Sequence, residues 1–212
     1  MNYNYASKNT SLSGKAISLV KRFTRSIGIV SDKKNDGERK IFLCAGHNRS
    51  DSGAIEGDLV EANLTIELRN LISAKIKNFT VLTDDDNLNL SQTVSWIESL
   101  CKPNDIILDL HFNDSDSSKA TGCETFVPMR YSDDEYNLAA NLNMATSKIL
   151  DIPNRGVKTE DQSPRKRLAM MRPDGINVLL EVSFLSNESD MEKYQERKIA
   201  LADSIAGVLS EA

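Results

Sequence analysis

The chain has 212 residues, enough for one sizeable hydrophobic core, and its 40% hydrophobic and 27% charged residues are ordinary for a globular domain. Its formal net charge of −5 at pH 7 argues against a nucleic-acid partner, because phosphate-binding surfaces concentrate basic charge. We therefore expect one main domain that does not bind nucleic acid.

Residues 1–38 differ from the rest in composition, and we interpret them as an N-terminal arm and linker that is partly helical. Ile17, Val20, Phe23 and Ile27 recur at helical spacing, with basic residues elsewhere on the surface. This pattern favours a short helix that packs on the domain. A basic helix that docks to a membrane surface or to a partner is the alternative.

Residues 39–212 form the predicted main domain, in which short apolar runs alternate with longer helical patterns, as is typical of an α/β sheet. The predicted strands are KIFLCA (40–45), FTVLT (79–83), DIILDLHF (105–112), CETFVP (123–128), RLAMMR (167–172) and INVLLEVSF (176–184). The predicted helices are 59–77, 91–101, 133–150 and 190–209. We expect a single α/β domain with a mostly parallel or mixed twisted sheet of about six strands and helices on both faces. RLAMMR should be a short edge strand and INVLLEVSF a central one.

Two predicted helix starts carry a capping box, in which a hydroxyl and a carboxylate three residues later satisfy backbone amides of the first turn. Ser132 with Glu135 fits this pattern before the third helix, and Ser189 with Glu192 fits it before the fourth.

The cysteines and the apolar segments indicate the cellular compartment of the protein. Cys44, Cys101 and Cys123 form no CxxC pair, so we expect reduced, buried thiols. No apolar run approaches the roughly 18 residues of a membrane span, and the N-terminus lacks the features of a signal peptide. We therefore expect a protein that is made in the cytoplasm and stays there unless it is released.

The sequence contains two histidines, His47 and His111, and each lies at or just past the end of a predicted strand. In open α/β sheets, catalytic groups collect where strands end, because the scaffold fixes a side chain there that solvent still reaches. A lone histidine is usually only a packed or surface residue, so the placement must be weighed with its neighbours.

Glu181 lies within the most apolar predicted strand. An unpaired carboxylate there would carry a heavy desolvation cost, so it requires a metal ion, a cationic partner or a raised pKa. One interpretation is an ion pair with an arginine such as Arg172, and the other is a functional carboxylate.

Glu61 lies early in the first predicted helix, where two interpretations compete. If Asp58 is the N-cap, Glu61 is the third helical residue, where an acid stabilises the helix terminus. Glu61 also projects within the apolar stripe that includes Leu64 and Leu68, which favours a buried role. Lys75 falls in the same arc, so the stripe alone does not decide.

Together, these residues match a known ligand set. Two imidazoles and one carboxylate, with a position left for water, are typical of a catalytic zinc site, whereas structural zinc sites usually use cysteines. His47, Glu61 and His111 are far apart in sequence, and spacing alone does not prove that they meet.

Four short motifs follow one another between residues 40 and 210. They are GHNRSDSGA with His47, Asp51, Gly53 and Ala54; VEANL with Glu61; DLHFN with His111 and Asn113; and EVSFLSN with Glu181, Phe184, Ser186 and Asn187. In this order the motifs resemble the zinc-dependent N-acetylmuramoyl-L-alanine amidases of the amidase 3 type. The resemblance implies an amidase catalytic domain at residues 39–212 that acts on peptidoglycan.

The resemblance also implies roles. His47, Glu61 and His111 would hold a Zn²⁺ cofactor, and Glu181 would be the general base for hydrolysis of the amide between N-acetylmuramic acid and L-alanine. Two departures bear on specificity. Asn48 and Arg49 replace paired glycines, and Ser183 replaces a glycine, so larger side chains there would narrow the cleft or alter substrate contacts.

Other residues carry weaker signals. Asn113 and Glu124 are candidate substrate-binding residues, although a turn explains the asparagine equally well. Asp109 shares a strand face with His111 and is either a supporting partner or an exposed acid. The basic run SPRKR is either a contact for the acidic peptide stem or a solvated loop.

Some relatives carry a helix between the second histidine and the last glutamate that blocks the cleft until an activator displaces it. Here that interval is filled by the elements assigned above, so we expect an open cleft. Strong activation of the purified protein by an added partner would contradict this.

Two other functions stay open: a zinc peptidase acting on peptidoglycan stem peptides, and a catalytically silent wall-binding module. The first would need an arginine for a terminal carboxylate, and the second would not need Glu181. The setting we expect is a phage lysin or a delivered effector that reaches the wall after synthesis. The oligomeric state and the preferred glycan and stem are left open.

Overall fold

The computed structural model describes residues 39–212, and the predicted arm and linker lie outside this range. The strands are β1 (Lys40–Ala45), β2 (Ile55–Glu56), β3 (Leu59–Val60), β4 (Thr80–Thr83), β5 (Ile106–Asn113), β6 (Cys123–Val127), β7 (Asn154–Thr159) and β8 (Ile176–Phe184). The helices are α1 (Glu61–Lys75), α2 (Leu90–Leu100), α3 (Asp133–Leu150) and α4 (Glu188–Glu211). Two 3-10 turns, Glu160–Gln162 and Ala169–Met171, lie between β7 and β8.

Six of these strands form one sheet in the order β4-β1-β5-β8-β6-β7, and β2 with β3 form a separate hairpin. Strands β4, β1, β5 and β8 run parallel, whereas β6 is antiparallel to β8 and parallel to β7. The prediction of one α/β domain with a mixed six-stranded sheet is therefore confirmed. Strand β8 is central and buried at every position except Glu181, as expected for a strand covered on both faces.

The two faces of the sheet are covered unequally. Helices α1, α3 and α4 pack on one face, where the main core includes Leu68, Leu142 and Ile205. Helix α2 and the second 3-10 turn cover part of the other face, around a smaller core that includes Ile97 and Met170. The rest of that second face stays open beside the carboxyl ends of β1 and β5.

None of the four described helices combines the length and the apolar character needed to cross a membrane.

The predicted edge strand RLAMMR is wrong. Its centre forms the second 3-10 turn. The apolar side chain of Met170 packs into the smaller core beside α2, so the segment is buried without pairing as a strand. The edge strand is instead β7, with the polar sequence NRGVKT. An edge strand pairs on one side only, so its residues can be polar. A polar strand lacks the hydrophobic pattern from which strands are predicted, so β7 was not predicted.

The capping box at the start of α3 is present as predicted. The Ser132 hydroxyl accepts a hydrogen bond from the Glu135 amide at 3.2 Å, and the Glu135 carboxylate accepts one from the Ser132 amide at 2.7 Å. The second oxygen of Glu135 accepts a bond from the Asn177 amide at 3.2 Å. The cap therefore also fixes α3 against β8.

The capping box predicted at Ser189 with Glu192 is wrong. Helix α4 begins at Glu188, two residues before the predicted start, and the Asn187 side chain accepts the hydrogen bond from the Asp190 amide at 3.0 Å. Asn187 also donates to two backbone carbonyls of the loop before β6, at 3.0 Å each. These bonds hold the asparagine in place as the cap.

The three cysteines are free thiols. Cys44 and Cys123 are buried as expected, and burial raises the pKa of the Cys123 thiol to about 12. Cys101 is only partly buried, so the expectation of burial is wrong for this residue, which lies just after α2 at the end of the sheet.

Candidate metal centre

Three ionisable side chains lie side by side across neighbouring strands. His111 of β5 is in register with Glu181 of β8, which is in register with Glu124 of β6. Residues paired across strands project from the same face of a sheet, here the open one. All three line a cleft with a volume of about 840 Å³.

The loop after β1 brings His47 to the same cleft. The Gly46 amide donates to the Leu110 carbonyl at 2.9 Å, which places Gly46 beside His111. A Cβ atom on Gly46 would overlap the His111 ring, so only glycine leaves room for it. The Thr65 hydroxyl of α1 donates to the His47 carbonyl at 2.9 Å and ties this loop to the helix.

Glu61 is the first residue of α1, and its side chain is buried. The residue before the helix is Val60, which makes no side-chain cap, so the interpretation of Asp58 as N-cap is wrong. The Glu61 carboxylate accepts hydrogen bonds from the Ala54 amide at 3.0 Å and the Phe112 amide at 2.9 Å. These two amides hold the carboxylate between the histidines.

His47, Glu61 and His111 each offer one ligand atom, and the three atoms lie within 4.8 Å of one another. The Glu61 carboxylate is 3.6 Å from His47 Nε2 and 3.2 Å from His111 Nδ1. Two imidazoles and one carboxylate at these separations fit a single divalent cation and leave a fourth position for a water molecule. The structure thus brings together the three residues that the sequence suggested as ligands.

Two aspartates lie behind the histidines. The second ring nitrogen of His111, Nε2, is 3.1 Å from the Asp109 carboxylate, which is buried, so the exposed-acid interpretation of Asp109 is wrong. His47 Nδ1 is 3.3 Å from the Asp51 carboxylate, without hydrogen-bond geometry. A carboxylate behind a histidine fixes the ring and its tautomer, so Asp109 leaves His111 Nδ1 turned towards Glu61.

Charges within the cluster favour a bound cation. Burial raises the pKa of Glu61, but hydrogen bonding and attraction from His111 outweigh it and hold that pKa below its ordinary value. Burial lowers the pKa of His111, but the Asp109 and Glu61 carboxylates outweigh it and raise that pKa well above its ordinary value. A metal ion that binds here must displace the proton from His111.

Glu181 lies beside the cluster without joining it. One of its carboxylate oxygens is buried and has no hydrogen-bond partner among residues 39–212. Burial raises the pKa of Glu181 to about 7, against a partial lowering by the His111 charge. Arg172, the alternative partner, pairs with Glu98 at 3.2 Å instead. Glu181 is therefore placed to take up and release a proton near neutral pH.

A family model described as N-acetylmuramoyl-L-alanine amidase matches residues 41–211. The chain belongs to this amidase 3 family. The match covers all of the sheet except its first residue, Lys40, and includes every residue of the cluster.

Two relatives have names that state an activity. The N-acetylmuramoyl-L-alanine amidase LytC of Bacillus subtilis is 28% identical over 162 residues, which are 74% of this chain and 31% of LytC. The N-acetylmuramoyl-L-alanine amidase CwlM of Bacillus licheniformis is 29% identical over 174 residues, which are 79% of this chain and 64% of CwlM. The chain thus spans less than two thirds of both relatives.

Solved structures share the fold at lower identity. An N-acetylmuramoyl-L-alanine amidase from Clostridium difficile 630 gives a TM-score of 0.70 at 20% identity, covering 82% of this chain and 96% of that one. The catalytic domain of CwlV from Bacillus (Paenibacillus) polymyxa var. colistinus gives a TM-score of 0.67 at 22% identity, covering 82% and 97%. Both likenesses support the predicted α/β architecture.

The departures from the family motifs have different consequences. Asn48 is buried at the cleft wall, where its side chain donates to the Leu88 carbonyl at 2.8 Å and accepts from the Ser50 amide at 2.9 Å. Arg49 is exposed and lies outside the cleft lining. Ser183 is fully buried, with its hydroxyl 3.7 Å from the Met191 sulfur. Of these three residues only Asn48 lines the cleft, and its effect on cleft width or substrate contacts stays a prediction.

Asn113 and Glu124, the candidate substrate-binding residues, contact each other. The Asn113 amide donates to one Glu124 oxygen at 3.1 Å, and Arg155 binds the other at 2.6 Å. The Lys158 ammonium also binds that second oxygen. Glu124 is thus held within an ion-pair network, and its role towards substrate stays a prediction. Arg155 and Lys158 were missed because β7 was not predicted.

A second network missed by the sequence reasoning supports the loop of His47. Arg69, about two helical turns after Glu61 on α1, binds the Asp84 carboxylate at 2.8 Å and the Asp86 carboxylate at 2.7 Å. Asp84 also accepts a hydrogen bond from the Ala45 amide at 3.1 Å, at the end of β1. Arg69 and Asp84 are buried, so this ion pair connects α1 to the strand end that precedes His47.

The helix between the two halves of the site, α3, packs into the main core through Leu138 and Leu142. None of its residues lines the cleft. Within the described range, α3 does not block the cleft, in line with the expectation of an open cleft. Independence from an activator stays a prediction.

Proposed function

We propose that this chain is a zinc-dependent hydrolase that cuts the amide between N-acetylmuramic acid and L-alanine in peptidoglycan. One observation carries the proposal: three ligand atoms of His47, Glu61 and His111 converge in an open cleft. Beside them lies the Glu181 carboxylate, one oxygen of which is buried without a hydrogen-bond partner among residues 39–212. The family match and the activity named for LytC and CwlM support the choice of bond.

The ligand set favours zinc among the divalent ions, since imidazole nitrogens with one carboxylate are typical of catalytic zinc sites. When bound, the ion would supply a Lewis acid that polarises the scissile carbonyl and makes water more acidic. Glu61 is oriented for this by the Ala54 and Phe112 amides, and His111 by Asp109. We also propose that the protein reaches the cell wall by release from the cell or by delivery.

Glu181 supplies the proton transfers. Its raised pKa lets the carboxylate accept a proton from the attacking water and then return that proton to the departing L-alanine amine. Its position in register with His111 places it next to the proposed ligands, as a general base must be. A wall-binding module would have no use for a carboxylate with one buried oxygen that no residue of the described range binds.

Mass spectrometry of the products from purified peptidoglycan tests the proposal. The full chain should release free stem peptides that begin with L-alanine, and chelation or Glu181→Gln should abolish the release. Glu98→Gln, which alters an acid on α2 outside the cleft, should leave it intact. Shortened peptides still attached to glycan would instead indicate a peptidase, and no product would favour a binding module.

A further inference from the structure

One wall of the cleft carries four basic side chains: Arg155 and Lys158 on β7, and Arg165 and Arg167 in the loop that follows β7. Arg155 and Lys158 both bind the Glu124 carboxylate, so that acid offsets much of their charge. Arg165 and Arg167 form no ion pair with another residue of the described range. This wall therefore presents positive charge that the described part of the protein does not neutralise.

The conformation of the loop that carries Arg165 and Arg167 is fixed by hydrogen bonds to Glu160. Glu160, buried beneath it, accepts the Ser163 amide on its carbonyl at 3.1 Å and the Leu168 amide on its carboxylate at 2.9 Å. Because Leu168 follows Arg167 directly, these bonds fix both ends of the basic stretch. A fixed loop loses little entropy when its side chains bind a ligand.

The basic residues of this loop differ in direction. Lys166 has a φ of 62° and does not line the cleft, and its ammonium donates to the Asp161 carbonyl at 3.2 Å. Its neighbours Arg165 and Arg167 both line the cleft. The left-handed turn at Lys166 thus separates two arginines that line the cleft from a lysine whose ammonium binds the Asp161 carbonyl.

Resting on the function proposed above, we propose that Arg165 and Arg167 bind a free carboxylate of the peptide stem and make the enzyme select stems by charge. A stem carries such carboxylates at its D-glutamate residue and at its C-terminus. Guanidinium groups bind carboxylates with paired, charge-assisted hydrogen bonds. Arg165 and Arg167 line the same cleft as Glu181, so a stem bound to them stays within the cleft that holds the proposed general base.

Three disaccharide-pentapeptides test this inference. One has all carboxylates free, one has D-glutamate amidated to D-isoglutamine, and one has an amidated C-terminus. The ratio kcat/KM is measured for the wild-type chain, for Arg165→Gln and for Arg167→Gln. Lys166→Gln is the matched control, because it removes one positive charge from the same loop but from outside the cleft.

The wild type should hydrolyse one of the amidated substrates about tenfold less efficiently, mainly through KM, and which one identifies the carboxylate. At least one arginine variant should lose this preference, and Lys166→Gln should keep it. Equal efficiency of the wild type on all three substrates, or a preference that survives in both arginine variants, would overturn the inference and leave the amidase function standing. No amidase product from any substrate would overturn the proposed function itself.

Discussion

Glu181→Gln is expected to raise the free energy of unfolding of the chelated protein, and to raise it more at higher pH. Burial raises the pKa of Glu181 from 4.5 to about 7. Between these values the unfolded chain loses the proton while the folded chain keeps it. The favourable contribution is therefore complete below pH 4.5 and is lost as the pH rises through 7. Glutamine stays neutral throughout and shows no such loss.

The size of the effect follows from the shift. Each pKa unit corresponds to about 1.4 kcal/mol, so the step from 4.5 to about 7 sets a ceiling of about 3 kcal/mol at pH 8. Because the Glu181 side chain is partly exposed, solvent screening lowers this to about 1–2 kcal/mol. The variant should thus gain stability over the wild type by this amount between pH 5 and pH 8.

Urea unfolding at pH 5, 6, 7 and 8 in the presence of a chelator measures this gain. Glu124→Gln is a control of opposite sign. Burial raises the pKa of Glu124, but Lys158 and Arg155 outweigh it and lower that pKa. The stability from Glu124 is fully present above pH 4.5 and is lost only below it, so Glu124→Gln should be less stable than the wild type by an amount that stays nearly constant from pH 5 to pH 8. A difference between Glu181→Gln and wild type that stays constant from pH 5 to pH 8 would refute the reasoning.

Three further changes follow from the contacts. Gly46→Ala should abolish tight zinc binding in a competitive chelator titration, because the added methyl group displaces the His111 ring; Gly207→Ala, in open space on α4, should bind zinc normally. Asp109→Asn should weaken zinc binding about 10- to 100-fold in the same titration, since His111 loses its orienting carboxylate; unchanged affinity would contradict that role. Ser132→Ala should lower the free energy of unfolding by about 1 kcal/mol in urea, through loss of the α3 cap, without changing zinc affinity.

The sequence predicted most of the sheet and the candidate ligands for a physical reason. His47 and His111 follow or end apolar strands, and the carboxyl ends of adjacent parallel strands must meet at one edge of the sheet. The two-residue period of a strand likewise placed Asp109 beside His111. Glu61 was ambiguous because its role depends on the loop that folds back over it.

Features that depend on contacts between distant parts of the chain could not be predicted from local sequence patterns. Strand β7 is polar because it lies at the sheet edge, so Arg155 and Lys158 were not assigned to the cleft. The α4 cap is Asn187 because the loop before β6 binds its amide, a contact between distant parts of the chain. The Arg69–Asp84 pair joins α1 to the residue after β4 and has no local signal in the sequence.

Anomalous diffraction at the zinc edge, from crystals of the full chain grown with one equivalent of zinc, tests the central claim most directly. We expect one strong peak within bonding distance of His47, Glu61 and His111, with Glu181 nearby but not bound to the ion. A peak held by other residues, or no peak at this cluster, would contradict the account.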